Sequence, residues 1–122
     1  MSFKATHRFA RISARKVRPL ADMIRGKFAD EALDILKYQP ERGARMLEKV
    51  LQSALGNAQD PDQHPGKTVR VEQLVVIDAR VDGGPMFKRI HTRARGMAYR
   101  ILKRLAHIHI SVSAPEEQGV TK

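Results

Sequence analysis

Seven arginine and lysine side chains lie within residues 88–104, and their chemistry is that of phosphate binding. They are Lys88, Arg89, Arg93, Arg95, Arg100, Lys103 and Arg104, with no acid among them. Arginine predominates, and its planar guanidinium forms two-point hydrogen bonds with phosphate and stacks on nucleobases. Phe87, which precedes this cluster, could stack on a base or brace a strand. The pattern predicts a surface that binds a polyanion.

A second basic cluster lies near the N-terminus. Residues 1–20 carry six cations and no acid, whereas residues 28–62 carry seven acids and four cations. This asymmetry, within a chain of net charge +10, predicts that the two ends bind an anionic partner and that the middle faces solvent. The candidate contacts outside the first cluster are Lys4, Arg8, Arg11, Ser13, Arg15, Lys16, Arg18, Arg25, Lys27 and His107.

Other site chemistry is weakly supported by the residue pattern. His107 and His109 have strand spacing and could project together towards a metal, but structural zinc sites are four-coordinate and usually rich in cysteine. The chain has no cysteine, so we predict no metal and no other cofactor. Ser13 suits a helix cap and Ser53 a helix interior, so no nucleophile–base pair is evident and we predict no enzyme. No apolar run approaches the roughly 18 residues of a membrane span, and we predict a cytoplasmic protein without a membrane partner.

The basic segment must be positioned by the two alternating stretches that flank it. Val69, Val71, Val75, Ile77, Ala79 and Val81, with Gln73 among them, are predicted to share one strand face, and Ile108, Ile110 and Val112 alternate with polar residues. Residues 97–105 also have helical spacing, but they must return to pair with the first stretch, so we predict a strand. Because residues 80–96 contain too little apolar side chain for a core, a long hairpin arm, about 80–106, is predicted to leave the domain and reach about 30 Å.

The remaining chain predicts one strand and three helices. Residues 4–12 suit a third strand, and helices are expected from Ser13, or nearer Lys16 because of Pro19, to Gly26, over 29–37 and over 41–59. The predicted fold class is α+β, with three helices packed on a small antiparallel three-stranded sheet that carries a long protruding β-hairpin. Residues 1–115 should form a single globular domain that includes the arm, and residues 116–122 a flexible tail.

The residues alone do not decide which polyanion the chain binds. A basic β-arm with Pro85 near its far end also describes DNA-architectural proteins, which insert apolar wedges into the minor groove. Those proteins are usually symmetric dimers, and no uncharged dimer face is evident in this sequence. Structured RNA, which is recognised by shape, loops and phosphate contacts, is favoured, and the DNA-architectural protein remains the alternative.

Several motifs then carry a family resemblance across nearly the whole chain. They are Ser13-Ala14-Arg15-Lys16-Val17-Arg18, Ile24-Arg25-Gly26-Lys27, Glu31-Ala32-Leu33, Val50-Leu51-Gln52-Ser53-Ala54, Asn57-Ala58, Val81-Asp82-Gly83-Gly84-Pro85, Lys88-Arg89, Arg93-Ala94-Arg95-Gly96 and His107-Ile108. In this order they resemble the large-subunit ribosomal protein L-twenty-two family of bacteria. Ala14 and Thr92 stand where that family often has proline, and Gly83 where an acid is common.

The resemblance implies a structural constituent of the large ribosomal subunit, which binds large-subunit rRNA and aids assembly. The hairpin tip would line the nascent-peptide exit tunnel, where Phe87, Lys88, Arg89, Ile90, His91 and Gly96 are the expected tunnel-facing residues. Arg93 and Arg95 would continue the tip, and Ser13, Arg15, Lys16 and Arg18 match a helix start that contacts rRNA. The implied partners are rRNA, neighbouring large-subunit proteins and the nascent polypeptide.

Overall fold

A computed structural model describes residues 2–59, 73–92 and 94–114. Its elements follow the order β1 (Ser2–Ala10), α1 (Ala14–Ile24), α2 (Ala29–Tyr38), α3 (Arg42–Ala58), β2 (Val75–Thr92) and β3 (Ala98–Ser113). The strands form one antiparallel sheet in the order β1-β3-β2. This confirms the predicted α+β fold and the strand at residues 98–105. The predictions for Val69, Val71 and Arg93, and for a flexible tail at 116–122, fall outside the described residues.

The core lies between one face of the sheet and the apolar stripes of the helices. On the central strand β3, Ile108, Ile110 and Val112 are fully buried, and α3 contributes Leu47 and Leu51. Full burial of such a side chain is worth about 1.5–3 kcal/mol, so a handful of these residues carries much of the stability. No described helix has the length and apolar character to cross a membrane.

A bulge in β2 corrects the predicted strand face. Pairing with β3 shifts between Val76 and Asp78, and the extra residue reverses which side chains point inward. Leu74 and Val76 are therefore fully buried, whereas Val75 and Ile77 are only half-buried. The predicted face is right at Ala79 and Val81 and wrong before the bulge, because strict alternation takes no account of an inserted residue.

Helix α1 begins at Ala14, directly after Ser13, as one of the two predictions had it, and not nearer Lys16. Ser13 occupies the N-cap position without the predicted side-chain hydrogen bond. Instead, the Ser13 carbonyl accepts a hydrogen bond from the Lys16 N–H at 3.1 Å. Pro19 lies inside the helix, where its missing N–H removes one hydrogen bond without ending the element. Gly26 follows the last turn with φ of +84°, the left-handed conformation that glycine adopts without strain, as the sequence predicted.

The chain around the end of α1 covers the free edge of β2. The Gly26 N–H donates to the Val76 carbonyl at 2.9 Å, and the Ala29 N–H donates to the Leu74 carbonyl at 2.9 Å. Further along, the Arg25 guanidinium donates to the Ala79 carbonyl, and Arg18 Nε donates to the Val81 carbonyl at 3.1 Å. An exposed strand edge is a template for unwanted pairing with another chain. Along this part of β2 the backbone carbonyls that would offer such pairing accept hydrogen bonds from within the chain. These bonds fix β2 immediately before it leaves the core.

Candidate nucleic-acid interface

The hairpin arm begins at a second bulge in β2. Pairing with β3 shifts between Gly83 and Met86, and beyond it seven pairs run from Met86–Arg104 to Thr92–Ala98. We call residues 86–104 the arm. A Cβ on Gly84 would lie 3.2 Å from the Leu105 carbonyl oxygen and 3.3 Å from His107 Nε2. The root of the arm is therefore tightly packed at Gly84, and a side chain there would require the Leu105 backbone to shift by a few tenths of an ångström.

The arm projects as a two-stranded ribbon and turns tightly at its tip. Seven paired residues at about 3.3 Å each give it a length of about 20 Å, somewhat shorter than predicted. Residues Ala94–Gly96 form a short 3-10 turn in which Arg95 and Gly96 have φ of 64° and 69°. Two left-handed residues in succession reverse the chain at this turn.

Cations and apolar residues alternate across the arm. In the first five pairs, each cation faces an apolar residue: Met86–Arg104, Phe87–Lys103, Lys88–Leu102, Arg89–Ile101 and Ile90–Arg100. Partners in an antiparallel pair project to the same face, and successive pairs project to opposite faces. Like charges therefore never lie directly opposite one another in these pairs. Each face presents a chequered pattern of positive and apolar side chains.

The apolar members of this pattern are unusually exposed. Ile90 is 79% exposed, Met86 49% and Phe87 46%. The guanidinium carbon of Arg89 lies 5.4 Å from the centroid of the Phe87 ring, which is a cation–π distance. Exposed apolar side chains on such a surface contribute little stability while they face water. A nucleic acid would offer phosphates to the cations and bases or sugars to the apolar groups.

A basic cleft opens between the arm and the body. Its volume is about 670 Å³, and among the residues that the structure describes its lining carries six cations and no acid: Arg11, Lys16, Arg42, Arg89, Lys103 and Arg104. Phe87 and Leu102 contribute an apolar part to the wall of the cleft. These cations come from the β1–α1 connection, α1, α3 and both strands of the arm, so only the fold brings them together. We call this the basic cleft, and its chemistry is that of an anion site.

A second cleft, of about 610 Å³, flanks the same root. It is lined by Arg15, Arg18, Arg104, Met86 and the Gly83–Gly84 pair, together with Ser13, Ala14 and Leu105. Ser13, Arg104 and Leu105 line both clefts. The two predicted basic clusters, far apart in sequence, thus meet around the root of the arm. Ser13, the N-cap residue of α1, lies at their junction, half-buried, and its hydroxyl makes no capping hydrogen bond.

The other predicted contacts have different surroundings. Arg18 and Arg25 each use a guanidinium N–H to hold the edge of β2, so part of their hydrogen-bonding capacity is structural. Lys4, Arg8 and Lys27 on the body, and Lys88, Arg95 and Arg100 on the arm, are exposed. The expected tunnel-facing residues Ile90, His91 and Gly96 are also exposed, at or near the tip.

Arg42 is a lining residue that the sequence did not indicate. It lies in the chain's acidic middle, which was assigned to solvent, yet its guanidinium donates to the Arg11 carbonyl and it lines the basic cleft. The two residues are 31 positions apart. No local pattern signals this contact, because it depends on how α3 packs beside the β1–α1 connection.

The open face of the sheet carries a hydrogen-bonded chain across all three strands. Thr6 Oγ1 lies 3.2 Å from His109 Nδ1, and His109 Nε2 lies 3.2 Å from Asp82 Oδ2. A hydroxyl, an imidazole and a carboxylate in this order are also the components of a nucleophilic triad. Here they lie on an open sheet face, on β1, β3 and β2, and they brace the sheet from one edge to the other.

Phe9 is the second residue that the sequence did not indicate. Its φ is +59°, and the β1–β3 pairing is interrupted between His7 and Ala10. The Phe9 N–H donates to His107 Nδ1 at 3.0 Å, and the two rings meet edge to face with centroids 4.8 Å apart. His107, predicted as an rRNA contact, therefore supports Phe9. Sequence gives no signal for this, because a backbone angle at a bulge is decided by the pairing of distant strands.

Comparison with known proteins gives matches that cover nearly the whole chain and agree with one another. The family model described as "Ribosomal protein L22p/L17e" matches residues 5–113. A "Large ribosomal subunit protein uL22" from Rhodopirellula baltica is 67% identical over 111 residues, which cover 91% of this chain and 93% of the relative. The protein of the same name from Maridesulfovibrio salexigens is 51% identical over 112 residues, covering 92% and 97%. The one from Caldicellulosiruptor saccharolyticus is 46% identical over 112 residues, covering 92% and 88%.

These matches span both basic clusters, all three helices and the arm. They confirm the resemblance drawn from the motifs, and the departures at Ala14, Gly83 and Thr92 do not alter the assignment. The chain belongs to the ribosomal protein L22p/L17e family.

Proposed function

We propose that this chain binds large-subunit rRNA through the arm and the two clefts at its root, that it aids assembly, and that its tip lines the nascent-peptide tunnel. As a family member it is a structural constituent of the large ribosomal subunit in the cytoplasm, and it is not an enzyme. Its partners accordingly include rRNA and other ribosomal proteins. The observation that carries the proposal is the basic cleft, where the described lining residues include six cations and no acid at the root of a cationic arm.

Phosphate neutralisation explains how the cleft would act. The fold brings together cations that repel one another in the free protein, and this repulsion is relieved when phosphates enter the cleft. Each neutralised phosphate releases condensed counterions, which makes the affinity fall steeply with salt. Arginine adds orientation, because its planar fork fixes the position of the phosphate it binds. A rigid body with a charged cleft would thus set the register of the RNA.

The arm suits a position between segments of RNA. Both of its faces carry cations, as the alternation across its pairs requires, so it can contact phosphates on two sides. Its exposed apolar side chains would be covered by bases or sugars. Contacts on two sides would hold together RNA segments that are distant in sequence, which is a physical basis for a role in assembly.

The tip suits a surface in contact with a passing polypeptide. Ile90, at 79% exposed, and Met97, at 55% exposed, lie near the end of an arm that extends about 20 Å from the body. The family resemblance associates this segment with the tunnel wall. The nascent chain would meet a mixed apolar and positive surface there.

The test is a competition binding assay at about 150 mM salt, near physiological ionic strength. Labelled large-subunit rRNA is challenged with unlabelled rRNA, duplex DNA and an unrelated structured RNA. We expect only the cognate rRNA to compete well, and we expect removal of Met86–Gly96 to weaken that preference. Equal competition by duplex DNA would instead support the DNA-architectural alternative, which the family membership disfavours.

A matched pair of variants tests the basic cleft itself. Lys16→Gln with Lys103→Gln removes two cations from the cleft, and Lys37→Gln with Lys49→Gln removes two exposed cations from α2 and α3. Because net charge falls equally, non-specific attraction changes equally. We expect the cleft pair to weaken rRNA binding and to lower the salt slope by about 2, at about one unit per lost phosphate contact. Equal loss in both pairs would show that only net charge matters.

A further inference from the structure

Phe9 is held in a conformation that a bulky residue rarely adopts. At φ of +59° it lies in the left-handed region, where an L-residue with a large side chain is strained. Such strain persists only where the surrounding structure compensates for it, and it is concentrated at functional sites. Here the compensation is visible as the hydrogen bond from the Phe9 N–H to His107 Nδ1, 3.0 Å long.

The strain does not serve to bury the ring. Phe9 is 51% exposed, whereas Phe3 on the same strand is 5% exposed and belongs to the core. A bulge that merely accommodated an extra residue would gain more by exposing a polar side chain. Instead, the interruption between His7 and Ala10 directs an aromatic ring outward, beside the imidazole of His107.

The ring is also fixed and flanked by positive charge. His107 meets it edge to face at 4.8 Å, and the Arg8 guanidinium carbon lies 5.4 Å from its centroid. The hydrogen bond that His107 Nδ1 accepts from the Phe9 N–H, 3.0 Å long, ties the imidazole to the backbone beside the ring. A rigid, half-exposed aromatic ring beside an arginine matches the arrangement used to stack a base and bind its phosphate.

We infer that Phe9, with Arg8 and His107, forms a stacking platform for one unpaired nucleobase of RNA. This deepens the proposed function and rests on it, since it assigns a base contact to a surface otherwise argued from phosphate contacts. RNA is the favoured occupant, and not a protein, because the Arg8 guanidinium lies beside the ring and the chain carries a net charge of +10. Base stacking would add affinity that does not depend on counterion release.

The test uses a variant that removes the ring and keeps the backbone. Asparagine tolerates the left-handed region, so Phe9→Asn relieves the strain and retains the N–H that His107 accepts. Tyr38→Asn is the matched control, because Tyr38 is an aromatic residue, 86% exposed, at the end of α2. Phe9→Gly serves as a second variant, and unfolding midpoints at or above that of the wild type show that both variants fold.

We expect Phe9→Asn and Phe9→Gly to bind large-subunit rRNA about 5- to 150-fold more weakly than wild type, the range for one lost stacked base. The dependence on salt should keep its slope, because no phosphate contact is removed. In chemical footprinting, one unpaired base protected by the wild type should become reactive while other protections persist. Tyr38→Asn should change none of these.

Two outcomes would overturn the inference. Wild-type affinity and unchanged footprints for Phe9→Asn would exclude stacking and leave a neighbouring ribosomal protein as the occupant of the ring. A reduced salt slope would show that the substitution disturbs phosphate contacts instead. Neither result contradicts the proposed function. That proposal fails separately, if the wild-type chain shows no preference for cognate rRNA.

Discussion

The two halves of the β2–β3 hairpin use the same strands and the same antiparallel pairing for opposite purposes. In the half next to the core, Ala79 and Val81 face Ile110 and Ile108, and all four are buried under the helices. In the arm, each of the first five pairs faces a cation with an apolar residue, and most of these side chains are exposed. Backbone hydrogen bonding is common to both halves, so side-chain burial alone distinguishes the part that stabilises the fold from the part available to a partner.

The comparison also explains why the root needs two special devices. Arg18 and Arg25 hold the edge of β2 up to Val81, and the bulge after Gly83 lies just beyond. A two-stranded ribbon is marginal in water, so its direction must be set where it still touches the body. The root therefore marks the boundary between a region determined by packing and a region determined by charge.

The largest expected effect comes from truncating the same residue type in each half. Ile110→Ala should lower the free energy of unfolding by about 2–5 kcal/mol, because it leaves a cavity among fully buried neighbours. Ile90→Ala, at a residue 79% exposed, should change it by less than about 0.5 kcal/mol. Urea unfolding followed by far-ultraviolet circular dichroism gives both values. Comparable losses would mean that the arm packs on the body.

An intermediate effect is expected at the root, where two adjacent glycines form a natural pair. Gly84→Ala places a Cβ 3.2 Å from the Leu105 carbonyl and should cost about 1–3 kcal/mol in unfolding free energy. Gly83→Ala meets no atom within 4 Å, and should be neutral or stabilise by up to about 1 kcal/mol through the unfolded chain. The same urea titration ranks them, and the reverse order would show that the bulge is held differently.

The smallest effect tests the chequered pattern of the arm. Leu102→Lys would set a lysine directly opposite Lys88 and should weaken the arm's pairing by about 0.2–1 kcal/mol. Leu102→Glu is the control, because it sets an opposite charge at the same position. Amide hydrogen exchange in the arm should be faster in the lysine variant than in the glutamate variant, while exchange in the core half stays the same. Equal exchange rates would place Lys88 and Leu102 out of register.

Much of the fold could be predicted because its signals are local. The stripe at Ala44, Leu47, Val50, Leu51 and Ala54 repeats with helical period and becomes the buried side of α3. Gly26 predicted the end of α1 for the reason observed, its left-handed φ. Val75 and Ile77 were placed on the wrong face, since a bulge is created by the partner strand and leaves no mark in alternation.

The residues of the candidate site likewise divide into those that the sequence predicted and those that it did not. The basic character of the two ends, and thereby most of the residues that line the clefts, followed from composition and spacing. Arg42 and Phe9 did not, and neither did the part that Arg18 and Arg25 take in holding β2. Their roles come from residues between 31 and 98 positions away, as the Arg42 and Phe9 contacts show.

The sequence by itself determined the elements, the net charge and the presence of a positively charged arm, because periodicity and composition act over a few residues at a time. The tertiary structure alone decided the register that places a cation opposite an apolar residue in the first five pairs of the arm, and the convergence of six cations from five parts of the chain into one cleft. It also decided the strained outward ring of Phe9. Register, convergence and strain depend on which distant segments meet, and only the folded chain fixes that.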